Sequence, residues 1–122
     1  MKIMTVDDSK MVRTIIRRAV TSLEYECLEA NNPKEALKIL AEEHKNIKLI
    51  LLDWNMPEMT GLEFLEIIKA HPEYKEIPVM MITSQGLKEK ILQAIKAGAI
   101  NYVVKPFTHE DLIERIKCCA RK

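Results

Sequence analysis

The chain reads as an α/β protein in which five β-α units form a doubly wound, five-stranded parallel sheet with helices on both faces. Short apolar runs of about four to six residues alternate with helical patterns of about ten to fifteen. The third run, Leu49-Ile50-Leu51-Leu52, is apolar throughout, as a parallel strand covered on both faces must be. Four of the runs also end on polar residues: Asp7 and Asp8, then Asp53, then Thr83, then Lys105. Open α/β sheets bind ligands at the carboxyl ends of their strands.

The first strand is predicted over Lys2 to Val6. Ser9 then caps a helix whose apolar positions Val12, Ile15, Ile16, Ala19 and Leu23 follow the helical period. Arg13, Arg17 and Arg18 lie off that stripe. The second strand spans roughly Glu26 to Ala30. Asn32-Pro33-Lys34-Glu35 opens the second helix with an Asn cap, Pro at the first position and Glu three residues past the cap. The third strand is predicted over Lys48 to Leu52, ahead of Asp53.

Pro57 and Gly61 mark the next segment as a loop. A helix is predicted from Leu62 to about Ala70, ending before Pro72. Pro78 is tolerable only at a strand start, so the fourth strand begins there and runs to Thr83. A fourth helix is predicted from about Leu87 to Ala97, with Gly98 just past its end. Asn101 to Val104 is the fifth strand, broken by Lys105-Pro106. Thr108, with Asp111 three residues on, caps the last helix.

The bulk properties narrow the function classes. The 122 residues suit one domain. Nineteen basic residues against eighteen acidic ones give a net charge of +1, so neither nucleic acid nor a membrane surface is expected as a partner. No apolar run approaches the length of a bilayer span, and no signal-peptide core precedes Asp7, so a cytoplasmic location is expected. Three cysteines, Cys27, Cys118 and Cys119, make no disulfide framework.

The strand ends carry the chemistry. If the runs are neighbouring parallel strands, Asp7, Asp8 and Asp53 meet at one sheet edge. At about 4 Å and an effective dielectric of about 20, each carboxylate contact costs on the order of 4 kcal/mol. A Mg²⁺ ion relieves that repulsion, since it takes a few carboxylates, several waters and a phosphate oxygen. Lys105 adds a cation and Thr83 a hydroxyl. Such a set suits a phosphoryl group, with one carboxylate as nucleophile. Singly, each residue has a plainer explanation: Asp-Asp-Ser is common capping chemistry, and Lys-Pro is a common loop dipeptide. The conjunction is what points to phosphoryl chemistry.

Together with Asp7-Asp8 and Thr83, the stretches Asp53-Trp54-Asn55-Met56-Pro57, with Gly61 beyond, and Asn101-Tyr102-Val103-Val104-Lys105-Pro106-Phe107 resemble the response-regulator receiver domains of two-component signalling. Single-domain chemotaxis regulators are the nearest pattern within that family. The resemblance spans residues 1–122 and implies a receiver domain with no output domain and the strand order 2-1-3-4-5. It implies that Asp53 accepts phosphoryl from a chemotaxis-type histidine kinase. Asp8, Asp53 and the Asn55 backbone carbonyl would ligate Mg²⁺, with Asp7 acting through a water. Lys105 and Thr83 would sense the phosphoryl group, Tyr102 would turn inward, and the Lys105-Pro106 peptide would be cis.

Asn55 and Gln85 would flank the phosphoryl group and tune its lifetime. The surface of the fourth helix, fifth strand and fifth helix would bind a target such as the flagellar motor switch. The protein would be a monomeric phosphoacceptor rather than an enzyme, open to a phosphatase. Thr60 stands where many receivers carry Asp, and Ser84-Gln85 where the best-known chemotaxis regulators carry Ala-Glu. A stand-alone phosphorelay intermediate and a Mg²⁺-dependent phosphatase are the competing expectations. The phosphatase is disfavoured because Asn55, two residues after Asp53, is an amide where the haloacid-dehalogenase pattern needs a carboxylate.

Overall fold

The computed structural model describes residues 1–56, 58–84 and 88–120. Its elements alternate: β1 Lys2–Val6, α1 Lys10–Ser22, β2 Glu26–Ala30, α2 Pro33–Glu43, β3 Ile47–Asp53, α3 Gly61–Ala70, β4 Val79–Thr83, α4 Lys88–Lys96, β5 Asn101–Val104 and α5 His109–Ala120. All neighbouring strands pair in parallel, and the sheet order is β2-β1-β3-β4-β5. This is the doubly wound fold expected from the sequence.

Strand alternation divides the core into two. Leu49 and Leu51 of β3 join Ile3, Met80, Ile82 and Val103 on one face, against Ile16 and Val20 of α1 and Leu112 and Ile116 of α5. Ile50 and Leu52 join Met4, Val6 and Met81 on the other, against Leu40 of α2, Phe64 and Ile68 of α3 and Ala94 of α4. Both faces of β3 are therefore covered, which is why its sequence shows no polar alternation.

The caps read from the sequence form as hydrogen bonds. Ser9 Oγ accepts from Val12 N at 3.3 Å, Asn32 Oδ1 from Glu35 N at 2.8 Å, and Thr108 Oγ1 from Asp111 N at 3.0 Å. Gly98 follows α4 with φ +112°, a conformation that favours glycine. The strand β4 starts at Val79, while the carbonyl of Pro78 still accepts from Ile50 N at 2.9 Å.

Some boundaries differ from the sequence reading. The third strand runs one residue longer at each end and takes in Asp53. A short 3₁₀ turn, His44–Asn46, leads into it. The third helix begins at Gly61 rather than Leu62. Thr60 is its cap and Glu63 closes a reciprocal capping box, so Gly61 is the first helical residue and not a loop residue. Pro57, Gln85 and Leu87, the expected start of the fourth helix, lie outside the described residues. No helix among the described residues is long and apolar enough to cross a membrane.

Candidate functional site

The register of the two central strands assembles the site. Val6 of β1 pairs with Leu52 of β3, so Asp7 emerges beside Asp53. The backbone N–H of Asp7 donates to Ala30 O at 3.0 Å, and its Oδ1 accepts from Ser9 N at 2.9 Å. Asp53 is the last residue of β3 and pairs with Ile82 of β4. Trp54 N donates to Ile82 O at 2.8 Å, which holds the chain straight just past Asp53.

One oxygen from each of Asp7, Asp8 and Asp53 lies within 4.8 Å of the others. Their surroundings differ. Asp7 and Asp53 are 1% and 3% exposed, whereas Asp8 is open to solvent. Lys105, just past β5, brings its ammonium to 3.2 Å from Asp53 Oδ1 and 3.5 Å from Asp7 Oδ2. Its own backbone N–H donates to Thr83 O at 2.7 Å, tying the ends of β4 and β5 together. The Lys105–Pro106 peptide is cis.

Burial and crowding both favour the protonated acids. Burial foremost, then the charge of Asp7, pushes the Asp53 carboxyl up to about 6, against the pull of Lys105. Burial also raises Asp7, opposed by the Ser9 N–H and by Lys105. One ammonium thus offsets only part of the cost of two buried carboxylates.

The donor set fits a hard divalent cation. Asp7 Oδ2 is buried and makes no hydrogen bond among the described residues, its one charged neighbour there being the Lys105 ammonium at 3.5 Å. Hard oxygen donors within 4.8 Å of one another are close to the span of about 4.2 Å across a Mg²⁺ octahedron. The cluster also keeps Asp8 open to solvent, where waters would complete such a shell.

The other predicted residues lie around this centre. Thr83 is buried at the end of β4. Asn55 is exposed, and its Nδ2 donates to Ser84 Oγ at 3.5 Å, spanning the loops after β3 and β4. Gln85 falls outside the described residues. Tyr102 lies on β5, paired with Met81 of β4. It is half-buried on the α4 side of β5, with the Arg115 guanidinium 5.2 Å over its ring. Arg115 also donates to Tyr102 O at 2.8 Å and Asn101 Oδ1 at 2.9 Å.

The parts played by Gly61 and Arg13 were not read from the sequence. Gly61 lets the start of α3 approach the backbone of Asp53, and its N–H donates to Trp54 O at 2.7 Å. The signal was a glycine directly after a helix cap. Arg13 reaches the Asp7 carbonyl at 2.6 Å. Its only signal was a charge off the apolar stripe of α1.

An acidic cluster with a lysine across it, at the carboxyl edge of a 2-1-3-4-5 sheet, defines a receiver-type site. The family model for the response regulator receiver domain matches residues 3–117, and the chain belongs to that family. Within it, this is a CheY-like receiver. The chain is 41% identical to the chemotaxis protein CheY homolog of Campylobacter jejuni strain 81-176, covering 96% of this chain and 90% of that one. It is 43% identical to chemotaxis protein CheY1 of Helicobacter pylori strain J99, covering 96% and 94%. The high-resolution structure of the chemotaxis response regulator CheY4 of Vibrio cholerae superposes with a TM-score of 0.89, at 31% identity over 97% of each chain.

Proposed function

We propose that this protein is a cytoplasmic, phosphorylation-activated switch of a two-component system, with Asp53 as the phosphoacceptor. The observation that carries the reading is the convergence of buried Asp53 with Asp7, Asp8 and the Lys105 ammonium at 3.2 Å. A carboxyl pushed up to about 6 is mostly ionised at neutral pH and keeps high nucleophilicity.

An Asp53 carboxylate oxygen attacks the phosphorus of a kinase phosphohistidine. An O–P bond forms, the N–P bond breaks, and the electron pair returns to the imidazole nitrogen. Asp8, Asp53 and the Asn55 backbone carbonyl would hold Mg²⁺ directly, and Asp7 through a water. Bound there, the ion supplies positive charge to the phosphoryl oxygens. Lys105 leaves its carboxylate partners to pair with those oxygens. Thr83 donates its hydroxyl from the neighbouring strand end. Asn55 and Gln85 flank the group and tune how fast water removes it.

Phosphorylation adds charge and acceptor oxygens at the end of β3. A shift of Thr83 towards them opens room for the Tyr102 ring, which biases a two-state packing element. The changed surface is α4, β5 and α5. The chemotaxis names of the relatives favour a motor-control target, such as the flagellar motor switch, and a chemotaxis-type kinase as donor.

Acetyl phosphate carrying labelled phosphorus, with Mg²⁺, tests the assignment. Wild type takes up about one phosphoryl group per chain, and Asp53→Asn takes up none. Stoichiometric, acyl-phosphate labelling of the Asn variant would overturn Asp53 as the acceptor.

A further inference from the structure

The acidic loop after β1 is held by a guanidinium as well as by its own hydrogen bonds. Arg13 lies one turn into α1, with a side chain only 14% exposed. One terminal nitrogen donates to Asp7 O at 2.6 Å and to Asn31 Oδ1 at 3.1 Å, and Nε donates to Glu29 Oε1 at 3.2 Å. Asn31 N in turn donates to Glu35 Oε1 at 2.6 Å. The guanidinium is therefore fixed by α1, β2 and the loop after β2 before it meets Asp7.

The carbonyl it grips belongs to the Asp7–Asp8 peptide. Asp7 has a second restraint, because its carboxylate accepts from Ser9 N and its N–H bonds to Ala30 O. Asp8 is exposed, so the direction of its Cα–Cβ bond, set by the backbone, is the part of its geometry that the fold fixes. We infer that Arg13 is a positioning residue for the acidic cation site, setting the Asp7–Asp8 peptide plane and hence aiming Asp8 at the ion. This rests on the Mg²⁺ reading above.

Charge alone predicts the opposite effect of removing Arg13. A cation beside a cation site opposes binding, so its loss should tighten Mg²⁺. Removal of an orienting partner loosens it, in metal sites commonly by about 10-fold or more. The sign separates the two.

Calorimetric Mg²⁺ titration of the intact chain is the test, with Arg13→Met, Arg13→Lys and Arg17→Met beside wild type. Arg17 shares Glu29 but its side chain is 52% exposed, so Arg17→Met reports the lost ion pair alone. The expected result is Mg²⁺ binding about 10-fold weaker in Arg13→Met, a few-fold weaker in Arg13→Lys and unchanged in Arg17→Met. Should Arg13→Met fail to fold, Arg13→Lys decides, since one ammonium cannot reproduce the planar fork. Wild-type or tighter affinity in whichever Arg13 variant decides overturns the inference and leaves the Mg²⁺ reading standing. An absence of Mg²⁺ binding in wild type overturns both.

Discussion

Gly61 stands so close to Asp53 that a Cβ built on it would lie 2.3 Å from the Asp53 carbonyl oxygen and 2.9 Å from the Trp54 Cα. The first residue of α3 is thereby pressed against the backbone that carries the proposed phosphoacceptor. The obstacle is main chain, not a flexible side chain, so any side chain at residue 61 must move the strand end or the helix.

Gly61→Ala is therefore expected to destabilise the protein by about 1–3 kcal/mol, the usual range for overpacking. It should also slow acetyl phosphate labelling, because the displaced backbone belongs to Asp53. Urea unfolding followed by Trp54 emission reads the first effect. A variant as stable and as readily labelled as wild type would show that the helix start can recede freely.

Asp53 should make stability depend on pH in the direction opposite to a salt-bridged acid. Its folded-state value is about 6, against an ordinary 3.8 in the unfolded chain. Between those values the folded state binds more protons, so stability in Mg²⁺-free buffer falls as pH rises through the window. Asp53→Asn removes that penalty. The variant is expected to show a higher urea midpoint than wild type at about pH 8, with the gain shrinking towards about pH 4.5. A gain of equal size at both pH values would mean that the carboxylate charge is not its source.

Lys105→Ala removes the ammonium shared by Asp53 and Asp7 but no carboxylate. Mg²⁺ binding is expected to survive, while the response to phosphorylation is lost. Beryllofluoride with Mg²⁺, a stand-in for the phosphoryl group, should shift the backbone NMR signals of Tyr102 and α4 in wild type and leave them unmoved in the variant. Equal shifts in both proteins would remove Lys105 from the relay.

Thr60 occupies a place where many receivers carry Asp, and it serves as a working helix cap. Its Oγ1 accepts from Glu63 N at 3.2 Å, and Glu63 Oε1 accepts from Thr60 N at 2.9 Å. Thr60→Ala should cost about 1 kcal/mol of unfolding free energy. Thr60→Asp should match or slightly exceed wild type, since a carboxylate also suits a helix N-terminus. Chemical denaturation of the three proteins checks the order, and a fully stable Ala variant would show that packing alone holds the start of α3.

Much of this architecture was legible along the chain, because the signals were local. An all-apolar run such as Leu49 to Leu52, a cap such as Asn32 ahead of Pro33, and a stop such as Gly98 each act within a few residues. Gly61 was misjudged for the same reason. Glycine ordinarily marks a turn, and the cause of this one lies eight residues away in the backbone of Asp53.

The residues of the site could be named from the sequence, because strand ends are local features and parallel strands bring their ends to one edge. Their differing surroundings needed the fold. Asp7 and Asp8 are adjacent and chemically identical in the sequence, yet one is buried beside the Lys105 ammonium and the other faces solvent. The grip of Arg13 on the Asp7 carbonyl crosses from helix to loop, and the reach of Lys105 to Asp53 spans 52 residues of chain. Burial, electrostatic crowding and hydrogen-bond partners all depend on distances that arise when the strands take their order. Residue types can therefore specify which chemistry gathers at the edge, whereas proton affinity and the orientation of each group follow from packing.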